Sequence, residues 1–511
     1  MSFDLVVPDF GLVLPQLVVF ITAIVLMLGD AFLPKRLHYT WLTAISLIGY
    51  TLGLLLLFNQ HGKNESTFYG LFRADGLTVF LTLIILSAAI LTVLISASYV
   101  ENLEGRMPLG EYYALLGFAV LGALLTASAG DLVMLFVGIE LSSLATYILT
   151  AFARRRETSL EGALKYFLLG LFASAILLYG MAWIYGSTGT TDLDQISHSL
   201  QAFVAGQDHI DASLLLGLIL IVVGLGFKVA AVPFHFWTPD AYDGAPTPVT
   251  AYMSVIPKAA AFVAAIRLLV QGLAPIRDDW AVLIAILAFV TMVFGNVVAI
   301  SQRNVKRMLA YSSIAHTGYI LAGLAAYQLT DGFSAGGAAD ASISSVLYYL
   351  LAYTFMNIGA FAIVGWVQHR GSGMMLEDFN GLASRHPLPA AAMAVFLVSL
   401  MGIPPLIGFY AKYYVIVALI DAGLLWLAIA IVIMSAISAF FYLRVVAAMY
   451  FNEAKVTEGE EQRDRVRTPL LDSGIALMVA ATILLGLFSG PIVDLADQWS
   501  TALTLTAVIH P

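Results

Sequence analysis

From Phe10 to about Leu487 this chain repeats one pattern, an apolar run close to a bilayer's thickness followed by a short polar break. A helix rises about 1.5 Å per residue, so about 20 apolar residues cross the hydrocarbon core of a membrane. A chain built from such runs in succession has lipid rather than water as its solvent. Composition agrees, since 60% of the 511 residues are hydrophobic and 11% are charged, whereas soluble domains carry about 25% charged residues. At a mean hydropathy of +0.90 too little polar surface is left to cover the separate cores of a soluble multidomain protein.

The formal charge of −9 and isoelectric point near 5.4 provide neither a basic face for nucleic acid nor a polybasic arm for anionic lipid. Absence of cysteine from the sequence excludes disulfides, thiolate-held iron–sulfur clusters and cysteine zinc sites. Electrons moving in such a system would be carried by partners. Met1-Ser2-Phe3-Asp4 precedes any basic residue and Lys35 comes only after the first apolar run, so no cleavable leader is expected.

Apolar runs predict fourteen helices, beginning near residues 10, 39, 76, 112, 131, 161, 212, 249, 279, 307, 343, 388, 423 and 470. The best-marked loops are 187–211 and the charge-rich 452–469. Loops leaving odd-numbered spans hold fifteen lysines and arginines, among them Arg154, Arg155, Arg156, Lys306, Arg307 and Arg463; those leaving even-numbered spans hold Lys63, Arg73 and Arg277. Because cytoplasmic loops carry the basic excess, this bias places both termini on the outer side.

Six basic residues fall inside spans: Lys165, Lys228, Lys258, Arg267, Lys412 and Arg444. Each costs about 2.5 to 3.5 kcal/mol at mid-bilayer on insertion scales, so such residues face protein or a water path. Ser142-Ser143-Leu144-Ala145 resembles Ser312-Ser313-Ile314-Ala315, Leu164-Lys165-Tyr166 resembles Leu347-Tyr348-Tyr349, and Lys228 and Lys412 lie 184 residues apart. These offsets pair spans 5, 6 and 7 with spans 10, 11 and 12, and an odd shift inverts the second copy, a transporter signature. Span 7 carries Lys228 five residues before Pro233; span 12 carries Pro404 and Pro405 before Lys412. Proline frees backbone carbonyls that are tolerated at depth only where protein or internal water satisfies them.

Glu140 is isolated near the centre of span 5, and Lys258 follows Pro257 near the middle of span 8. Burial disfavours charge and pairing restores it, an opposition by which buried lysines exchange protons. A structural ion pair would use the same residues. Lys165, about four residues into span 6, reads equally as a relay or an anchor, and His316 in span 10 as a proton carrier or a hydrogen-bonded core histidine. Arg267 and Arg444 hold their protons permanently and read as structural.

After span 7 comes His235-Phe236-Trp237-Thr238-Pro239-Asp240-Ala241-Tyr242-Asp243-Gly244-Ala245-Pro246-Thr247-Pro248-Val249. With the charged helices in order, this motif resembles that of the antiporter-like membrane subunits of respiratory complex I, the proton-pumping NADH:quinone oxidoreductase, and among them most the subunit N branch. The resemblance covers nearly the whole chain. It implies an all-α polytopic protein of about fourteen transmembrane helices with two inverted five-helix repeats and discontinuous helices 7 and 12. The divisions it implies are helices 1–3 (1–110), a first repeat (111–275), a second (276–452), and a cytoplasmic loop with helix 14 (453–511).

The implied activity is proton translocation coupled to quinone reduction by other subunits. The resemblance assigns it to Glu140, Lys165, Lys228, Lys258 and Lys412, with His316 as a candidate carrier and helix breaks at Pro233, Pro404 and Pro405. It places the chain in a bacterial inner membrane beside other membrane subunits, especially antiporter-like ones. FMN, iron–sulfur clusters, NADH and quinone are expected on partner subunits and no cofactor on this chain. A subunit of a multisubunit sodium/proton antiporter is the alternative, and a passive scaffold with buried ions is a third reading. No extra long C-terminal helix is expected.

Overall fold

The computed structural model describes residues 7–32, 38–101, 109–204, 211–329, 338–370, 373–453 and 468–509. A helix occupies each of the fourteen expected stretches. The first six are α1 (Leu14–Phe32), α2 (His38–Leu56), α3 (Gly76–Glu101), α4 (Leu109–Ala127), α5 (Leu132–Thr150) and α6 (Glu157–Thr188). After α7 (Leu193–Val204) come α8 (Ala212–Val229), α9 (Trp237–Gly244) and α10 (Thr247–Ala265), the last continued by a π-helical turn over Ile266–Gly272. Then follow α11 (Arg277–Ser301), α12 (Val305–Ala325), α13 (Ala338–His369), α14 (Leu382–Arg385), α15 (Pro387–Met401), α16 (Ile407–Asp421), α17 (Leu425–Phe451), α18 (Pro469–Leu487) and α19 (Ser489–Ile509). Among the described residues, twelve helical stretches are long and apolar enough to cross a membrane.

Helices α10 and α13 form the centre, with 94% and 89% of their apolar stretches buried against 33% for α18. Around α13 pack α3, α10, α12, α15, α16, α18 and α19. The peripheral helices turn large apolar residues outward, such as Leu164, Leu168 and Phe172 on α6 and Ile429, Val432 and Ile433 on α17. That outward face suits hydrocarbon, since lipid imposes no cost on exposed leucine or phenylalanine.

The two expected discontinuities are present and built alike. Helix α8 stops at Val229 with Ala230 in the left-handed region (φ 64°), and α15 stops at Met401 with Gly402 there (φ 89°). Such a residue ends a helix by turning its amide back onto the last carbonyls. Pro233 follows the first stop, and Pro404 and Pro405 follow the second, each break containing a cis X–Pro bond. Pro257, by contrast, lies inside α10 without interrupting it.

Three features depart from the sequence expectation. The run 187–211, expected as a loop, contains the end of α6 and the helix α7, whose Leu193, Ile196 and Leu200 are buried; its many polar residues form the outer face of an amphipathic helix. Residues Glu65–Thr67 and Phe72–Ala74 form a two-stranded antiparallel hairpin, β1 and β2, in a chain expected to be all helical. Beyond the last expected span, α19 packs on α13 and α3, with Trp499 edge-on to Phe80 at 5.4 Å. Gly76 allows this approach, because a Cβ there would lie 2.8 Å from the Trp499 backbone. Ser489, Gly490, Pro491, Asp494 and Asp497 dilute the apolar signal of that segment. Residues 454–467 of the charge-rich loop, including Arg463, and 205–210 lie outside the described residues.

One end of the bundle is tied by arginines. Arg267, fully buried in the π-helical turn, makes paired bonds to Asp75 (2.6 and 2.9 Å) and donates to Thr78 Oγ1 and the Ala127 carbonyl. Arg73 of β2 pairs with Asp194 of α7 at 2.7 Å, and Gln271 donates to the same carboxylate. Arg444 caps the other loop, donating to the carbonyls of Ile300 and Gln302. The structural reading of Arg267 and Arg444 is thus supported by what they touch. Removing one partner of a buried pair leaves the other charge uncompensated at a cost of about 3 to 5 kcal/mol. Arg267→Met should therefore sharply reduce the amount of subunit recovered in the assembled complex on native gels, and Arg267→Met with Asp75→Leu should recover much of it. Normal assembly of the single variant would contradict the anchor.

Candidate functional site

Each break leaves carbonyls without amide partners, and the way they are satisfied defines the site. At the end of α8 the Val229 carbonyl accepts from Thr317 Oγ1 (2.9 Å), the Val232 amide donates to Thr291 Oγ1 (3.0 Å), and the Phe227 carbonyl, which also receives the Ala230 amide (3.1 Å), accepts from Trp237 Nε1 (3.2 Å). At the end of α15 the carbonyls of Leu400 and Met401 accept from Lys412 Nζ at 3.0 and 2.9 Å. The ammonium of α16 thus serves as the cap of α15, at the negative end of that helix's dipole.

Lys228, buried in the last turn of α8, donates to Glu140 Oε1 (2.9 Å), Ser143 Oγ (3.0 Å) and Ser174 Oγ (2.9 Å). Ser174 in turn donates to Glu140 Oε1 at 2.5 Å. Glu140 and Lys228 therefore form a direct ion pair. Lys258, buried in α10, donates to the Ser313 carbonyl (2.8 Å), Ser313 Oγ (2.6 Å) and Thr317 Oγ1 (2.9 Å), all on α12. Lys412 lies 5.0 Å from the Tyr319 ring centroid, again on α12. Lys165 and Lys228 thus sit beside carboxylates, whereas the hydrogen-bond partners of Lys258 and Lys412 are all neutral.

His316 lies on α12 between the residues that hold Lys258 and the ring that faces Lys412. Its Nδ1 shares a proton with the Tyr349 hydroxyl (2.7 Å) and its Nε2 faces the Tyr442 hydroxyl (3.3 Å). It touches neither lysine by a hydrogen bond in this arrangement. Thr317 bonds both the Val229 carbonyl and Lys258, so one side chain joins the end of the Lys228 helix to the next lysine. Ser143 holds Lys228, while Ser313, which the sequence pattern pairs with it, holds Lys258 and not Lys412.

The motif helix α9 gathers charge at the other end of the bundle from Arg267. Asp240 pairs with Lys165 at 2.8 Å and Arg307 at 2.9 Å, and Lys165 also pairs with Glu161 at 2.6 Å. Asn304 donates to Asp243 Oδ1 at 3.0 Å. Burial raises the Asp240 pKa, but the Lys165 bond and the charges of Arg307 and Lys165 outweigh it and hold the carboxyl below its ordinary range. This pin is complete above the ordinary carboxylate pKa and is lost only as pH falls through the lowered value. Lys165 is 44% exposed, so it lies at the rim, away from the buried pair. Lys306, expected as a loop cation, is fully buried and donates to the carbonyls of Asp243 (3.2 Å) and Ala245 (2.5 Å), capping α9. Its position at the first turn of α12, facing a helix end, gave no signal in the charge count. Ser174, Thr317, Tyr349, Tyr442 and Lys306 are the contributors that spacing alone did not reveal.

Among the described residues no cluster of histidines and carboxylates is arranged to hold a metal. Residues 129–438 match the family described as NADH:quinone oxidoreductase/Mrp antiporter, transmembrane. The chain is 41% identical to NADH-quinone oxidoreductase subunit N of Myxococcus xanthus over 98% of each chain. It resembles a chain of respiratory complex I from Thermus thermophilus at 32% identity and a TM-score of 0.76, covering 94% of this chain and 99% of that one. A chain of the Mrp complex from a Dietzia species shares the fold, with a TM-score of 0.81 over 97% and 98% of the two chains at 23% identity. A match over most of the chain to the family, and near full-length identity to a relative, place it plainly: the protein belongs to the antiporter-like membrane subunits of NADH:quinone oxidoreductase, in the subunit N branch.

Proposed function

We propose that this chain is the proton-translocating, non-redox membrane subunit of an NADH:quinone oxidoreductase, spanning a bacterial inner membrane fourteen times with both termini outside. Flavin, iron–sulfur clusters, NADH and quinone belong to its partners, among which neighbouring antiporter-like subunits lie alongside it in the bilayer. Protons enter near Lys165 from the cytoplasmic side, reach Lys228, pass through Lys258 with His316 as intermediary, and leave outward from Lys412. Glu140 sets the charge state of Lys228. The divisions 1–110, 111–275, 276–452 and 453–511 then read as entry helices, two inverted repeats that each contain a broken helix, and a C-terminal segment.

The observation that carries this reading is the row itself. Three buried lysines stand on or beside helix breaks or the central helix, and α12 side chains lie against each successive gap: Thr317 between the Lys228 helix and Lys258, then His316 and Tyr319 toward Lys412. A scaffold needs buried pairs, yet Lys258 and Lys412 are held by neutral oxygens alone. Keeping an unpaired cation there is costly without a function for the proton.

Three tests follow from this arrangement. General acid–base groups contribute about 100-fold or more to rate, so Lys258→Met should cut quinone-linked pumping at least about tenfold while flavin-site NADH oxidation by an artificial acceptor continues. Lys258→Arg should fail nearly as badly, since it keeps charge but does not release its proton; an arginine enzyme that pumps fully would sink the relay. Glu140→Asp should retain more pumping than Glu140→Gln in assembled complexes, because the charge beside Lys228 matters more than reach, and equal rates would remove the charge argument. For topology, Ser187→Cys in this cysteine-free chain should react with an impermeant thiol reagent added outside intact spheroplasts. Labelling confined to inverted vesicles would reverse the orientation.

A further inference from the structure

Between the rim cluster at Lys165 and the buried pair at Lys228 the structure holds something other than a polar path. Lys165 and Ser174 are nine residues apart on α6, about 13 Å along the axis. Four aromatic rings fill that interval. Tyr166 of α6 stacks face to face on Trp237 of α9, with centroids 4.1 Å apart and planes within 12°. Phe227, the residue before Lys228, lies 5.5 Å from Trp237 and 6.5 Å from Tyr166. Tyr147 of α5 closes the inner side, edge-on to Tyr166 at 4.5 Å. All four are buried.

Small residues seat these rings. A Cβ on Gly162 would lie 2.6 Å from the Asp240 carbonyl, so this glycine lets α9 press against α6 and brings Trp237 over Tyr166. One turn beyond Tyr166, Gly170 receives Tyr147, whose hydroxyl lies 2.0 Å from where a Cβ would stand. Trp237 is also fixed from its other edge, since Nε1 donates to the Phe227 carbonyl in the last turn of α8. Rings in contact at 4.1 Å leave no layer for water between their faces, and an apolar constriction of this kind closes a conduit by drying it.

We propose that Tyr147, Tyr166, Phe227 and Trp237 form the cytoplasmic-side water gate of Lys228, a gate whose central ring is tied to the end of the helix that carries that lysine. The proposal rests on the proton path above and assigns the barrier that such a path needs: an open water column from the rim to Lys228 would let protons run back. The Trp237 bond to Phe227 couples ring position to the last turn of α8, so a movement of Lys228 away from Glu140 displaces the gate.

Because the chain has no cysteine, access is read directly on the whole complex in inverted vesicles. Ser174→Cys places a thiol just inside the rings, and Ser96→Cys, buried in α3, places one far from the path. With the rings intact both thiols should resist a small cationic methanethiosulfonate added on the cytoplasmic side, read as a mass shift of this subunit. Adding Trp237→Ala should speed labelling of Ser174→Cys about tenfold, equivalent to lowering the access barrier by about 1.4 kcal/mol, while Ser96→Cys stays protected. Tyr166→Leu, which keeps apolar bulk but removes a stacked face, should act in the same direction and serves if the alanine variant does not assemble. Fast labelling of Ser174→Cys with the rings present, no increase in the ring variants, or equal labelling of Ser96→Cys would each overturn the gate. Because the readout is access and not pumping, a gate upheld here alongside a fully pumping Lys258→Arg enzyme would remove the relay alone.

Discussion

An interrupted helix inside hydrocarbon is the constraint on which this structure depends. Carbonyls freed at Val229 and Met401 find no water in lipid, so the rest of the protein has to bring donors to them. At the first break the donor is a threonine hydroxyl, Thr317, with the Trp237 indole adding a bond to the Phe227 carbonyl two residues earlier; at the second the donor is a charged amine, Lys412. Burying α10 and α13 at the centre, with the broken helices against them, is what keeps these polar groups away from lipid.

The two breaks are alike in backbone and different in charge. Both stop at a left-handed residue followed by proline. Yet Lys228 belongs to the helix before its break and faces a carboxylate, while Lys412 belongs to the helix after its break and faces carbonyls. Similar backbones thus carry dissimilar electrostatics, an acid-paired amine at one break and an amine among neutral oxygens at the other. Helix α12 supplies the common wall, with Ser313, His316, Thr317 and Tyr319 at successive levels.

At either end of the bundle, ion pairs do a different job. Arg267 with Asp75 fixes α10 to α3, and Arg307 and Lys165 with Asp240 fix the motif helix α9 between α6 and α12. Each locks a short or distorted element, the π-helical turn in one case and an eight-residue helix in the other. Rigid ends and a polar centre are compatible because the ionic clusters are separated from the row by packed rings and apolar turns.

Much of this was determined by the sequence alone. The length of each apolar run is set by bilayer thickness, so a helix lies over every stretch whose start was read from hydropathy, and the prolines at 233, 404 and 405 mark the two interruptions. The isolation of Glu140 in apolar surroundings called for a proton or a cation beside it, and only the packing of α5 on α6 and α8 named Lys228 as that cation. Tertiary structure decided what one-dimensional patterns do not carry. Helix α7 hid in a polar loop and α19 in a diluted tail, since burial on one side suffices once neighbours are present. Lys306 counted as a loop charge until α9 was seen to end against it. Which oxygens hold Lys258 and Lys412, and that four rings from α5, α6, α8 and α9 meet above Lys228, depend on helices far apart in the chain. Such contacts follow from packing geometry, and hydropathy along a chain contains no term for it.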